Sequence, residues 1–423
     1  MSDYFDRIER QLVERVTAPS RRSRLIGLAS GRLVPASAVV VAVAVVAVFF
    51  AVGARRGTRV SPGSGARELT YVAQPTGTGL QAASLRAAVA RLRIRLAGVS
   101  PGMTVTRNGD QITIRGVTPE TRSTVAALAR RGQLEFYDWE VAALTPNGQT
   151  VASQLRRQDA TAVTISQGTG SGPGAGGGGL SLYRAVRLAS RQPALAAAAG
   201  VSRTGPLYYL FGSSGSPACS TVTRLDGTVT PRGQHCLLAG PETSAQALRT
   251  DVPPGVSAAD GEQLVVHQGT VVVQAAGPTT GQSLALGSPT ARFYVLRDEP
   301  SLSGADITHP RQSTDQSGAP AVSFGFTASG GKLFQQATAG IAHRGTVDSS
   351  LGGANQLNQH FAIALDQQLL SVPSIDFKTY PDGVTGGGGA DISGDFTRHS
   401  AQELATILRT GPLPVDLIPT GQP

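Results

Sequence analysis

The sequence predicts an α+β protein held at a membrane by a single N-terminal helix, and three observations carry that prediction. Residues 33–53 contain no charge, the chain beyond them runs twice through strand and helix patterns, and a Gly/Ser/Thr-rich stretch separates the two runs.

The uncharged segment reads LVPASAVVVAVAVVAVFFAVG. At about 1.5 Å per residue such a helix crosses a hydrocarbon core of about 30 Å. Pro35 falls in its first turn, where the missing N–H costs little. A helix packed in a protein core would show a polar face, and this one has none. A cleaved signal peptide is the competing reading, with Val52, Gly53 and Ala54 as a small-residue cleavage site, but a signal's apolar stretch is shorter and seldom follows about thirty polar residues. The expectation is therefore a retained, single-pass anchor in the plasma membrane. Arg15, Arg21, Arg22, Arg24 and Arg32 before the span outnumber Arg55, Arg56, Arg59 and Arg67 after it, which favours a cytoplasmic N-terminus and an extracytoplasmic C-terminal domain. Within the tail, residues 1–32, Phe5, Ile8, Leu12 and Val16 stand near helical spacing and predict an amphipathic helix on the inner leaflet. Residues 54–66 read as a linker.

The chain has 423 residues and a net charge of +9, which raises nucleic acid as a partner. Much of the basic excess flanks the apolar span, and no later segment joins a basic stripe to aromatic stacking residues, so no nucleic-acid partner is expected.

Beyond the linker, ELTYVAQP (68–75) predicts a strand and residues 80–97 a helix with an apolar face. TVTRNGDQITIR (104–115) predicts a hairpin turning at Asn-Gly-Asp. A helix follows over 119–131 with proline at its first turn, and QLEFYDWEV (133–141) reads as a strand. The order β-α-β-β-α-β is that of a ferredoxin-like sandwich. Residues 145–290 are loop-rich, with apolar runs only in LYYLFG and QLVVHQGTVVVQ. From residue 291 the pattern returns: strands in ARFYVLRD and APAVSFGFT, a helix in GGKLFQQATAGIA, two strands turning at Asp366-Gln367, a strand in GADISGDF, a helix over 398–409 and a last strand in LPVDLIP.

Chemistry is sparse. Gly172, Gly174 and Gly177 match a dinucleotide-binding spacing, but Asp and Glu are absent between Asp159 and Asp226, so the acid that would hold a ribose is missing and the run reads as a loop. Cys219 and Cys236 are the only cysteines. A disulfide between them would stabilise by about 3 kcal/mol a region with little core of its own. Zinc is the rival, with His235 nearby, but no fourth ligand completes a tetrahedral set. The other histidines are scattered singly, neither G-x-S-x-G nor H-E-x-x-H occurs, and Asp366 reads as a turn former. Neither catalytic residues nor a cofactor nor a metal is expected, and the chain reads as a non-enzyme. Tyr208, Tyr209 and Phe211 are candidates for lining a groove for an extended polypeptide, against the plainer reading that they form the small core of the middle segment.

The C-terminal part carries a resemblance to a known family. FAIALDQQLLSVPSI, followed by ADISGDFTRHSAQELATILRTGPLPVDL, resembles the large extracytoplasmic domain of the protein-translocase subunit SecD. The matching positions include Ala364, Leu365, Asp366, Pro373, Ile375, Ile392, Gly394, Phe396, Leu404, Leu408, Gly411 and Leu413-Pro414-Val415. Leu134-Glu135-Phe136, and Gly331 with Phe334 and Thr338, resemble two further family motifs. The resemblance implies a base in two halves (67–144 and 291–419) interrupted by a head (145–290). It also implies a part in Sec-dependent protein secretion, with translocon channel subunits and unfolded secreted polypeptides as partners. The family's bundle of further membrane helices finds no counterpart in these 423 residues, so the expectation is an accessory that binds or guides emerging polypeptides with no proton-driven motor of its own. The alternative is a membrane-tethered envelope binding module that kept the fold and binds another ligand or partner protein.

Overall fold

The computed structural model describes residues 42–45, 68–75, 80–100, 102–157, 179–195, 205–226, 230–231, 233–275, 286–315, 317–351, 358–394 and 396–420. The amphipathic tail, the linker, the run with Gly172, Gly174 and Gly177, and nearly all of the apolar span lie outside them. Four residues of that span are described, Ala42–Val45 (β1), and they form a strand parallel to Ala390–Gly394 rather than a turn of helix. Their alternating valines suit a strand at a sheet edge. Among the described residues no helix is long and apolar enough to cross a membrane.

The first folded unit runs β2 (Glu68–Pro75), α1 (Ala82–Leu96), β3 (Thr104–Asn108), β4 (Gln111–Arg115) and α2 (Arg122–Leu128). The hairpin turns at Gly109, whose φ of 61° is the left-handed conformation glycine adopts at no steric cost. Helix α2 starts later than its sequence suggests. Thr118 and Thr121 bond each other's backbone and side chains and spend the preceding residues on a turn.

The fourth strand of this sheet is not residues 133–141 but the chain's last strand, Val415–Pro419. It lies antiparallel to β2, giving the order Val415–Pro419, β2, β4, β3. Burial explains the exchange. In β5 (Leu134–Asp138) four successive residues, Leu134 to Tyr137, are buried, and a strand covered on both faces needs a central place. Val415 alone is buried in the last strand, which suits an edge. Strand β5 also stops at Asp138, where one turn of helix, α3 (Trp139–Ala142), takes over.

After α4 (Val151–Arg157) the middle region forms α5 (Leu182–Ala189), β6 (Leu207–Ser213), α6 (Pro217–Asp226), β7 (His235–Glu242), α7 (Ala245–Thr250), β8 (Glu262–Val266) and β9 (Thr270–Gln274). The remainder is β10 (Phe293–Arg297), β11 (Leu302–Ser303), β12 (Ile307–Thr314), β13 (Pro320–Phe326), α8 (Ala328–Leu351), β14 (Gln359–Leu365), β15 (Gln368–Ser371), β16 (Ser374–Ile375), β17 (Ala390–Gly394), α9 (Arg398–Thr410) and β18 (Val415–Pro419).

The central sheet is ordered β10-β9-β15-β14-β5-β11, and β17-β13-β12 form another. Between them lies the largest core, holding Leu134 and Phe136 of β5 with Phe324, Phe334, Phe361, Ile392, Phe396 and Leu404. Phe136 and Phe361 stack with centroids 5.8 Å apart. The family-like positions are chiefly core positions. Thr338, also fully buried, adds a polar contact there: its Oγ1 donates to Phe334 O and accepts from Val384 N, both at 2.8 Å, and pins a loop to α8.

An insert within one base domain should enter and leave it on neighbouring strands, yet β5 and β10, which flank the middle region, are not neighbours. Strands β9, β15 and β14 separate β10 from β5, and Phe136 and Phe293 belong to different cores. The ends meet one step further along. Leu144 N donates to Val295 O at 2.8 Å and Ala143 faces Leu296. The β9–β10 hairpin, not β10 alone, is the piece that joins the sheet.

Candidate functional site

Tyr208, Tyr209 and Phe211 all sit on β6, the middle strand of the sheet β7-β6-β8. Tyr209 and Phe211 face the same side and are 2% and 1% exposed, covered by Leu182 and Val186 of α5. Helix α5 already occupies the surface these two rings would offer a polypeptide. Tyr208 points to the opposite face and is half-buried.

On that opposite face Cys219 of α6 and Cys236 of β7 are joined, with Cα atoms 5.8 Å apart, among Leu210, Val222 and Leu238. With each sulfur committed to the other, neither is a thiolate for zinc, and His235 instead stacks on Tyr183. Among the described residues no group of three or more His, Cys, Asp and Glu is arranged to hold a metal ion.

The joint between the middle region and the rest is a compact apolar patch. Val271, Val273 and Leu296 of the β9–β10 hairpin pack with Trp139, Ala362, Ala364 and Leu369, and Trp139 meets Tyr294 edge-on at 5.1 Å. The backbone link is thin: Gln274 N donates to Gln367 O at 2.8 Å, and the β9–β15 ladder holds one residue pair. Under this joint lie two buried acids to which the sequence reading gave no role, Glu135 and Asp298. The Tyr137 hydroxyl donates to Glu135 Oε2 at 2.8 Å and stands 3.4 Å from Asp298 Oδ1. Gln133 Nε2 bonds the other Glu135 oxygen. Burial, then the charge of Asp298, pushes the Glu135 carboxyl above its ordinary range, and burial raises the Tyr137 hydroxyl well above its own. An acid set among apolar residues in LEFYD was the available signal.

A third polar cluster joins α2 to α9. His399 Nε2 lies 2.7 Å from Thr124 Oγ1 and 3.0 Å from Glu403 Oε1. Burial raises the Glu403 carboxyl, and its Oε2 has no hydrogen-bond partner. Hydroxyl and carboxylate address the same ring nitrogen. A nucleophile relay needs one on each nitrogen, so the cluster reads as a structural contact between helices.

The fold is thus α+β, with C-terminal strands completing the sheets of the first half. The family model described as SecDF, P1 head subdomain, matches residues 281–415. Protein translocase subunit SecD of Rickettsia bellii is 38% identical over 125 residues, which is 30% of this chain and 20% of that protein. SecD of Rhodobacter capsulatus is 35% identical over 125 residues, 30% of this chain and 19% of that protein. The match thus spans about a fifth of the length of these relatives. A solved SecDF, described as a membrane component that enhances protein export, aligns over 84% of this chain and 99% of its own at 16% identity, with a TM-score of 0.37. The name "head" in the matching family model falls on residues of which only 281–290 are head in the sequence reading, the rest being assigned to the second half of the base.

Proposed function

We propose that the chain is a SecD-like accessory of Sec-dependent protein secretion, binding or guiding polypeptides as they emerge on the outer face of the membrane. The observation that carries this is the 38% identity to a SecD over 125 residues. The matched strands also share one core with Leu134 and Phe136, so the similar part is integral to the domain. In this reading residues 33–53 are a single membrane helix with a cytoplasmic N-terminus, in place of the short Ala42–Val45 strand, and 54–66 a linker. Residues 67–144 and 291–419 are a ferredoxin-like base and 145–290 a head. The antiparallel order β18-β2-β4-β3, with α1 and α2 packed on it, supports such a base.

The work assigned to the chain is binding, with no proton-driven step: holding an emerging segment biases it against sliding back. Weak, sequence-tolerant contact is enough, because tethering keeps the local concentration high. Main-chain pairing is one such contact. Strand β8 is at an edge of its sheet among the described residues, with Glu262 and Gln263 exposed. Photoreactive residues at Tyr208 and Gln263, with a secreted protein stalled in transit, should crosslink to the nascent chain or to channel subunits. Silence at both sites, with the purified chain indifferent to unfolded polypeptides, would transfer the reading to an envelope binding module with another ligand. Protease added to spheroplasts should digest residues 60–423 and spare the tail.

A further inference from the structure

Helix α5 turns Leu182, Ala185, Val186 and Leu188 toward the core of the middle region. Arg184, Arg187 and, just past the helix, Arg191 leave its other side, exposed and spaced three and four residues apart, so they form one stripe. Beside them opens a groove of about 960 Å³ whose lining also holds His235 and Arg292.

Four guanidinium groups around one concavity call for an anion, and the protein supplies little of its own. The sequence has no Asp or Glu between Asp159 and Asp226. Glu262 accepts the Tyr183 hydroxyl at 2.8 Å, and that hydroxyl accepts from Arg187 Nη1 at 3.2 Å, which aims Arg187 without neutralising it. Arg292 Nη1 donates to Pro289 O and Ala291 O, both at 3.0 Å, which fixes its plane. Among the described residues none of the four arginines forms a salt bridge. The stacked rings of Tyr183 and His235, 3.6 Å apart, give the groove a rigid side, and Leu180 and Leu188 an apolar one. Ser181, the residue capping α5, makes no side-chain bond to the helix and lines the groove.

We propose that this groove binds a phosphate-bearing anion, with Arg184, Arg187, Arg191 and Arg292 as donors. A carboxylate presents two oxygens and one charge, and would leave most of these donors unused. A phosphate ester offers more acceptors in the geometry that forked guanidinium groups match. The volume falls at the upper end of the range of about 300–1,000 Å³ usual for small-molecule sites, and the leucines suit an ester with an apolar portion. A lipid headgroup and a soluble phosphate ester share this chemistry; only the lipid source rests on the membrane-tethered reading above.

The test is calorimetric titration of the full chain in nonionic detergent with inorganic phosphate, glycerol 3-phosphate, short-chain phosphatidylglycerol below its micelle concentration, and polyglutamate. It is run on the wild type, on Arg184→Gln/Arg187→Gln, and on Arg86→Gln, an exposed arginine of α1 that does not line the groove. Glycerol 3-phosphate should bind the wild type and the Arg86 control alike, weaken as salt rises, and lose about tenfold or more in affinity in the double variant. Tighter binding of phosphatidylglycerol identifies a membrane headgroup as the source. Equal or weaker binding identifies a soluble phosphate, and both uphold the site. Heat from polyglutamate alone, phosphate binding that the double variant keeps, or no heat from any phosphate ligand overturns it.

Discussion

Asp366 and Gln133 are joined in both directions: Gln133 N donates to Asp366 Oδ1 at 2.8 Å, and Asp366 N donates to Gln133 O at 3.0 Å. The other carboxylate oxygen accepts from Gly132 N at 3.0 Å and lies 3.4 Å from Arg130 Nε. The tip of the β14–β15 hairpin is thus clamped to the entry of β5. Only glycine fits at 132, where φ is 80° and a Cβ would stand 2.3 Å from Ile407 Cγ2. Asp366→Ala strands two backbone donors and unpairs Arg130, so it should cost about 2–4 kcal/mol. Urea denaturation measures this, and a loss below about 0.5 kcal/mol would make the clamp incidental.

The same turn carries a local strain. Asp366 and Gln367 have φ of 50° and 64°, the pair of left-handed residues a two-residue hairpin turn demands. Asp tolerates this; Gln does so at a cost of about 1 kcal/mol. Gln367→Gly should therefore raise stability by about 1 kcal/mol, since the carbonyl that Gln274 N uses is kept. A variant less stable than the wild type would place a needed contact on the Gln367 side chain.

The buried Glu135 sets a pH dependence. Its carboxyl is raised in the folded protein by burial and by Asp298, so the folded state favours the protonated form. Its contribution to stability is full below the ordinary glutamate range and is lost as pH rises through the raised value. Glu135→Gln removes the charge and can keep the Tyr137 bond. Its melting midpoint should exceed the wild type's at pH 7.5 by a few degrees, roughly the shift about 1 kcal/mol produces, and approach it near pH 4. A difference that grows toward acid would refute the assignment.

The Cys219–Cys236 pair should be recovered intact by non-reducing mass mapping of protein taken from the membrane. Its loop spans 17 positions, for which chain-entropy arguments give about 3 kcal/mol. Cys219→Ala/Cys236→Ala should speed hydrogen exchange in β6, β7 and α6 and leave α8 and β14 unchanged, because the pair sits in a small cluster of its own. Two free thiols in native material would defeat the prediction at once.

How much of this was legible in the sequence depended on how local each signal was. The turn at Gly109, the turn at Asp366–Gln367 and the helices α8 and α9 follow from spacing and turn chemistry alone. Strand β12 was missed because a register shift between Thr308 and Arg311, with His309 at φ 51°, breaks the alternation a strand would show. The exchange of β5 for β18 was missed because adjacency in sequence was read as adjacency in the sheet, whereas two-sided burial decided it. WEV was read as the end of a strand, but Asp138 is held by Arg344 Nη2, with both contacts at 2.5 Å, and the chain turns there. The arginine groove was illegible for a plainer reason: residues 184–191 and 292 meet only once the fold brings α5 beside β10.

The last prediction concerns Arg95, which is 1% exposed at the end of α1. Its five N–H groups are all used: Nε on Thr410 Oγ1 at 2.9 Å, Nη1 on Leu128 O at 2.9 Å and on Arg130 O, and Nη2 on Arg131 O at 3.0 Å and Gly411 O at 2.7 Å. One side chain therefore satisfies carbonyls at the C-terminal ends of α2 and α9, which sit far apart in sequence. Burial lowers its pKa to about 10, opposed by Asp366 and aided by Arg91, so it stays charged at neutral pH. Arg95→Met should cost more than about 3 kcal/mol, because buried acceptors on both helix ends lose their donor. Arg95→Lys keeps the charge but gathers three donors at one point, out of reach of five separated acceptors, and should recover less than half of that loss. Chemical denaturation of both variants checks the magnitudes, with hydrogen exchange at Thr410–Leu413 as the local readout. If Arg95→Lys matched the wild type, charge alone would be what the site needs and the fork geometry would be irrelevant.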